Sequence, residues 1–280
     1  MRVVRKIKTM QDLAQEAKKK GKIIGFVPTM GYLHEGHLRL VRIARKKSDL
    51  CVVSIFVNPL QFGPKEDFKE YPRDIKRDKK LLEKEGVDIL FYPEEKEMYP
   101  DDFSTYVKVE GLTEGLCGRS RPGHFQGVTT VVTKLFNSVL PHFAVFGEKD
   151  AQQALVIKRM VRDLNMPIKI IVAPTVREKN GLAMSSRNVY LSPKEREEAT
   201  VLYRSLLKAK EMIERGERNS NVIIGKMREM IEETSGKIDY IAIVDTKDLK
   251  EMEVIKGEVL IALAVYFSKA RLIDNIRVKV

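Results

Sequence analysis

The sequence predicts an α/β protein built on a parallel sheet, with a smaller C-terminal α+β domain. Three observations predict it. Apolar runs of strand length, "CVVSIFV" and "IKIIVAP" among them, lack polar alternation, as strands covered on both faces do. Segments of helical period separate these runs, which is the βαβ pattern of a parallel sheet. After "PTVREKNGLAMSSRNVYLSP" the alternation stops, and two helical segments precede three consecutive strand-like runs. Residues 1–175 are therefore expected to form a Rossmann-like domain and 176–280 a smaller α+β domain.

In chain order, "MRVVRKIKTMQDLAQEAKKKG" reads as a short strand and a surface helix. It has no apolar h-region and carries Asp12 and Glu16, so it is not a targeting segment. The strand "KIIGFVPT" (22–29) leads to a helix in which Leu38, Val41 and Ala44 share one face. Then come the strand "DLCVVSIFV" (49–57), a helix around "DIKRDKKLLEKEG" (74–86) and the strand "VDILFYP" (87–93). A strand "STYVKVEG" (104–111), a helix near 127–139 and a strand "HFAVFG" (142–147) follow. The helix "DAQQALVIKRMVRDLN" (150–165) and the strand "IKIIVAPTV" (168–176) complete the series. In the second domain "SPKEREEA" opens a helix by a capping box, with Ser192 as N-cap, Pro193 at N1 and Glu195 at N3. A second helix lies near 219–235, before the strands "KIDYIAIVD", "GEVLIALAVYF" and "RLIDNIRVKV", which are expected to pair antiparallel.

Composition bounds the function. With 280 residues and 43% hydrophobic content the chain can bury a full core. Its longest apolar run, "VLIALAVYF", falls far short of the roughly 20 residues that span a bilayer, so no membrane partner is expected. Two cysteines make no disulfide framework, which points to a reducing, cytoplasmic setting. The net charge of +12 is spread over mixed-sign helix faces, without an arginine-rich tail or a zinc-knuckle spacing. Basicity of this kind suits a small anionic substrate, and no nucleic-acid partner is expected. Many Lys and Glu with no Trp also resemble a heat-adapted proteome.

Four stretches can carry chemistry. In "PTMGYLHEGHL" two of the chain's four histidines, His34 and His37, lie three residues apart between a strand and a helix. This is not the zinc-protease H-E-x-x-H, since Leu38 stands where the second histidine belongs. Nor is it a P-loop, because His37 and Leu38 replace the Lys-Ser/Thr pair. What remains is a glycine-bearing turn before a helix N-terminus, where backbone N–H groups and imidazoles can meet an anion. "FGEKDAQQ" repeats the strand–turn–helix geometry with Lys149 at its start. "GLAMSSRN" reads as a loop able to bring Arg187 to a phosphate. "FVNPLQFGPKEDFKEYPRD" places the uncharged amides of Asn58 and Gln61 after a buried strand, suited to a polar substrate.

Taken with "GRSRPGHFQGVTTVV" and "TVREKNGLAMSSRNVYLS", these motifs occur in family order and resemble the pantoate–β-alanine ligase family of HIGH-motif nucleotidyltransferases. The likeness covers most of residues 1–192; the last hundred residues match in texture only. The resemblance implies ATP and Mg²⁺ as co-substrate and ion, pantoate and β-alanine as substrates, and a homodimer. It implies a pantoyl adenylate that β-alanine converts to pantothenate, with pyrophosphate and AMP released. Position by position it puts the ATP phosphates against the turn Met30, Gly31, Tyr32, Leu33, His34, Glu35, Gly36 and His37. It adds Lys149 at the phosphates, Gly147, Glu148 and Asp150 lining the nucleotide site, and Val176 near the adenine. Met184, Ser185, Ser186 and Arg187 become a closing phosphate loop; His34, His37, Lys149 and Arg187 carry catalysis. Gln61 and Gln153, with Asn58, become substrate contacts, and Asp78 a Mg²⁺ position with Asp74 as its close alternative. Two other readings remain open: an adenylyltransferase with a phosphate-bearing acceptor, and a basic RNA-binding module.

Overall fold

The structure, a computed structural model, describes residues 1–64 and 66–280; Lys65, inside the 56–74 motif, lies outside them. Two compact units divide the chain. The first comprises residues Met1–Glu110, Arg121–Glu148 and Gln153–Pro174, and the second Gly111–Ser120, Lys149–Gln152 and Thr175–Val280.

From the N-terminus the elements are β1 (Arg2–Val4), α1 (Ile7–Lys19), β2 (Ile24–Thr29), α2 (Glu35–Lys47), β3 (Leu50–Ile55), α3 (Ile75–Lys84) and β4 (Ile89–Phe91). Short helices α4 (Glu95–Met98) and α5 (Leu116–Ser120) precede α6 (His124–Val139), β5 (Phe143–Gly147), α7 (Ala151–Asp163) and β6 (Lys169–Ala173). The six strands form one parallel sheet in the order β1-β4-β3-β2-β5-β6. From β2 the chain winds outward through β3 and β4, then returns to add β5 and β6 on the other side. β2 and β5 therefore flank the topological switch point, where doubly wound sheets open a crevice beyond their strand ends.

Alternate residues of each strand face opposite sides, so both layers need helices. Val27, Val53 and Val145 face Val41 and Ala44 of α2 and Leu82 of α3. Phe26 packs edge-on against Phe136 of α6, whose other neighbour is Phe146. Both faces are apolar, which is why these strands read as unbroken hydrophobic runs.

The run 104–111 forms no strand. At its middle, Val107 pairs with side chains of α6 instead: Val107 N donates to Thr130 Oγ1 (3.0 Å) and Val107 O accepts from Thr129 Oγ1 (2.5 Å). A β-rich composition became an extended strap because a helix, not a strand edge, lay beside it.

In the second unit α8 (Pro193–Glu198), α9 (Val201–Glu214) and α10 (Ser220–Glu232) precede the antiparallel sheet β7 (Lys237–Asp245), β8 (Glu258–Phe267) and β9 (Ala270–Lys279). The capping box of Ser192 and Glu195 forms as the sequence predicts. The segment 193–214 holds two helices rather than one, since the Thr200 hydroxyl donates to Glu197 O (2.7 Å) and ends the first. Leu206, Ile213, Ile223 and Met227 of α9 and α10 meet Ile261, Leu263 and Val265 of β8 in one core. Among the described residues no helix is long and apolar enough to cross a membrane.

Candidate active site

β2 ends at the switch point, and the turn after it is built from buried polar contacts. Thr29 Oγ1 donates to Ser54 O (2.7 Å) and accepts from Gly31 N (3.2 Å), tying the turn to β3. Gly31 has φ +87°, and a Cβ there would lie 2.9 Å from Ile55 Cγ2 and 3.2 Å from Asp78 Oδ2, so only glycine fits. Tyr32 follows with φ +49°, a left-handed conformation that costs a non-glycine residue about 1 kcal/mol or more. Leu33 is buried and anchors the turn in the core.

The two histidines then cap α2. His34 Nδ1 accepts from Gly36 N (3.1 Å), and His37 Nδ1 accepts from His34 N (3.3 Å). Their ring centroids are 4.0 Å apart. An Nδ1 that accepts cannot carry the proton, so each neutral ring keeps it on Nε2. The sequence suggested that backbone N–H groups of this turn would meet an anion directly. In the structure the amides of Tyr32, Leu33, His34 and Gly36 are all engaged by side chains. Each imidazole keeps its Nε2–H as a donor at the positive end of α2. Glu35 turns its carboxylate to Arg42, so only its backbone belongs to the turn.

After β3, Asn58 is almost completely buried and every polar group on it is used. Its Oδ1 accepts from Tyr99 Oη (2.7 Å), while its Nδ2 donates to Gly127 O and to Gln61 Oε1, both at 3.1 Å. Asn58 therefore aims Gln61 and has no polar atom left over for a ligand. Gln61 Nε2 donates to Met30 Sδ (3.1 Å), a weak acceptor that an anionic oxygen would displace with gain. Behind it, His124 Nδ1 lies 2.9 Å from Gln61 O, and Arg121 Nη2 donates to the same oxygen at 3.1 Å. Arg121 is fixed in turn by Glu66 (2.5 and 2.7 Å); burial opposes the charge, but the guanidinium holds that carboxyl below its ordinary value. This frame of Tyr99, Arg121, His124 and Gly127 was missed from the sequence. Arg121, His124 and Gly127 lie in the motif "GRSRPGHFQGVTTVV", to which no role was given.

Gly127 is where α6 crosses the segment after Asn58. A Cβ there would stand 2.2 Å from Leu60 O and 2.6 Å from Gln61 N, and backbone cannot yield as a side chain can. Gly127→Ala is expected to lower stability by about 1–3 kcal/mol, measured by urea unfolding. An unchanged midpoint would mean that the helix has room to move.

Asp78, in the first turn of α3, is 1% exposed. Its Oδ2 accepts from Tyr32 N (2.7 Å) and its Oδ1 from Leu33 N (2.8 Å). Burial pushes its carboxyl above the ordinary value, against the pull of those two amides. Asp74 is engaged as the N-cap of α3, accepting from Arg77 N at 2.9 Å. Both Asp78 oxygens are taken by backbone amides in a buried setting, so Mg²⁺ does not fit there, whereas Asp74 is exposed and engages one oxygen in its cap. Among the described residues no group of three His, Cys, Asp or Glu side chains could hold a metal.

Of the twin glutamines opening α7, Gln152 is a buried staple. It donates to Leu112 O and Gly115 O (both 2.9 Å) and accepts from Cys117 N (3.0 Å). Gln153 is half-buried. Gly147 closes β5, and Glu148 starts a short 3₁₀ turn through Asp150.

Within the second unit β9 gathers the remaining predicted residues. Its Asn275 Nδ2 donates to Lys149 O (2.8 Å), and it packs on the 3₁₀ turn Ser186–Tyr190. Lys149 Nζ lies 3.9 Å from Asp150 Oδ1. Val176 O accepts from Met184 N (3.0 Å), and Ser185 Oγ caps Arg187 N (3.2 Å). The segment 181–188 is thus a folded turn rather than a plain loop. Asn188, buried, donates to Ala183 O and Glu178 Oε1 and secures its far end.

A doubly wound sheet with a histidine-capped helix at its switch point places the chain among α/β proteins whose ligands bind beyond the strand ends. The chain belongs to the pantoate-beta-alanine ligase family, whose profile matches residues 2–277; it is a ligase of that family. It is 60% identical over 280 residues to the pantothenate synthetase of Caldicellulosiruptor bescii, covering 100% of this chain and 99% of the relative. The pantothenate synthetase crystal structure from Thermus thermophilus superposes with a TM-score of 0.93 at 48% identity, over 99% of both chains. The Francisella tularensis ligase, crystallised with beta-gamma ATP and beta-alanine, matches with a TM-score of 0.82 at 36% identity. That match covers 99% of this chain and 97% of the other.

Proposed function

We propose that this enzyme condenses pantoate with β-alanine through a pantoyl adenylate. The pantoate carboxylate attacks the α-phosphorus of ATP and pyrophosphate leaves. The β-alanine amine then attacks the acyl carbon, AMP leaves, and one proton is lost as the amide of pantothenate forms. The observation that carries this reading is the pair of Nδ1 atoms in His34 and His37, each accepting a backbone N–H. It turns both Nε2–H groups into donors for phosphate oxygens at the switch point. The Francisella relative's complex supports ATP and β-alanine as the co-substrate and substrate.

Pantoate's carboxylate is ionised at neutral pH, so the first step needs no strong base. The barrier lies in bringing two anions together and in the charge gathering on pyrophosphate, which fixed donors and cations reduce. His37 and His34, with the cations Lys149 and Arg187, take that role. Gln61 and Gln153 hold pantoate, and Asn58 acts through Gln61. The backbone of Met30–His37 together with Gly147, Glu148, Asp150, Val176 and Met184–Arg187 lines the nucleotide. Magnesium enters only with the ATP phosphates. The same reading carries a cytoplasmic homodimer in which residues 1–175 bind nucleotide and pantoate and 176–280 supply the phosphate loop.

Purified enzyme is expected to release pyrophosphate from ATP only when pantoate is present, and to form pantothenate only once β-alanine is added. Pyrophosphate without pantoate, or none with it, would sink the adenylate route.

A further inference from the structure

The carboxylate that the family resemblance assigns to a metal is doing something else. We propose that Asp78, assisted by Arg77, is a positioning residue that holds the Met30–His37 turn in its phosphate-binding shape, and is not a metal ligand. This rests on the reading of that turn as the ATP-phosphate site.

The turn makes a demand that its own residues cannot meet. Gly31 and Tyr32 are both left-handed, and for Tyr32 that conformation is unfavourable. Something must hold the chain there, and α3 supplies it. Asp78 receives the two amides that the reversal points inward, Tyr32 N and Leu33 N, at charge-assisted lengths of 2.7 and 2.8 Å. Arg77, one residue earlier, takes the carbonyl of the next peptide along. Its Nη2 donates to Leu33 O (2.8 Å), and its guanidinium lies 5.1 Å from the Tyr32 ring centroid. Its Nη1 is 3.6 Å from Asp78 Oδ1, so the pair also neutralises itself. Amide, carbonyl and ring of two adjoining residues are thus gripped by two consecutive side chains. Their helix is oriented by its own N-cap, Asp74.

The next residue along the turn is His34, the first of the two histidines. His34 N and Gly36 N reach His37 Nδ1 and His34 Nδ1 only if the chain leaves Leu33 in the direction this grip imposes. A misplacement of about 1 Å at reacting groups costs on the order of 10²-fold in rate. Both Asp78 oxygens are taken by these amides and the side chain is 1% exposed, which leaves no place beside it for a Mg²⁺ that keeps several waters.

Asp78→Asn keeps the shape but cannot accept from both amides. It is expected to slow pantoate-dependent pyrophosphate release about tenfold or more and to raise the KM for ATP. The KM for β-alanine and the half-saturating Mg²⁺ concentration are expected to stay within twofold. Hydrogen exchange of the 31–37 amides should quicken, with or without Mg²⁺. A tenfold shift of the Mg²⁺ curve with rescue at high Mg²⁺, or a wild-type rate, overturns the proposal. Should Asp78→Asn fail to fold, Arg77→Ala decides. Faster exchange at 31–37 and a several-fold higher KM for ATP support the grip, and no change in either overturns it. His37→Ala runs alongside: unimpaired ATP binding and adenylation there would remove the phosphate-site reading itself, whatever Asp78→Asn does.

Discussion

His37→Ala is expected to cut the rate of adenylate formation by about 10²-fold or more, the cost of losing one preorganised donor at a developing anion. The side chain does two jobs that separate cleanly. Its Nδ1 accepts from His34 N and completes the cap of α2, while its Nε2–H is the donor proposed for the phosphates. Losing the cap alone costs about 1 kcal/mol, which a melting curve reads. His37→Glu can restore an acceptor for His34 N, as in a capping box, but has no N–H to give a phosphate. It should therefore recover stability without recovering rate. Single-turnover pyrophosphate release checks this, and a His37→Glu variant at near wild-type speed would take the donor role away from His37.

Asp274→Ala is expected to lower stability by about 3 kcal/mol, the low end for breaking a buried ion pair. Asp274 is 2% exposed and meets Arg177 with both oxygens, at 2.6 and 2.9 Å. The guanidinium also stacks 3.7 Å from the Tyr203 ring centroid and donates to Gly181 O (3.2 Å). Removing the carboxylate leaves that charge enclosed and uncompensated. Arg177 keeps some contact with solvent, which is why the low end of the range applies. Because Arg177 follows Val176 and bridges Ala183, the loss also unfastens the segment that carries Ser185 to Arg187. Urea unfolding of Asp274→Ala and of the double variant Arg177→Met/Asp274→Leu tests the cause. The double variant, with no orphaned charge, should regain most of the stability. Equal losses in both would mean that packing, not charge, sets the cost.

The sequence by itself determined the layers. Unbroken apolar strands alternating with helices can be satisfied only by a sheet covered on both faces, and six parallel strands are what the chain forms. The capping box at Ser192 and Glu195 was legible for the same reason: its hydrogen bonds are local. The family was legible too, because its motifs are short and contiguous. Strand 104–111 was misread, since β propensity says nothing about whether an edge is available to pair with.

Only the tertiary structure decided what the polar side chains do. Asn58 and Gln61 look alike in sequence, yet one is a sealed bracket for the other, and of Gln152 and Gln153 one is a staple. The turn at His34 and His37 could be read as an anion site, but not which atoms donate. That depends on Asp78, more than 40 residues away, absorbing the amides of Tyr32 and Leu33. Periodicity and capping are settled within a few residues of chain. The partner of a buried carboxylate is settled by which helix lies beneath which turn, and no stretch of the sequence contains both.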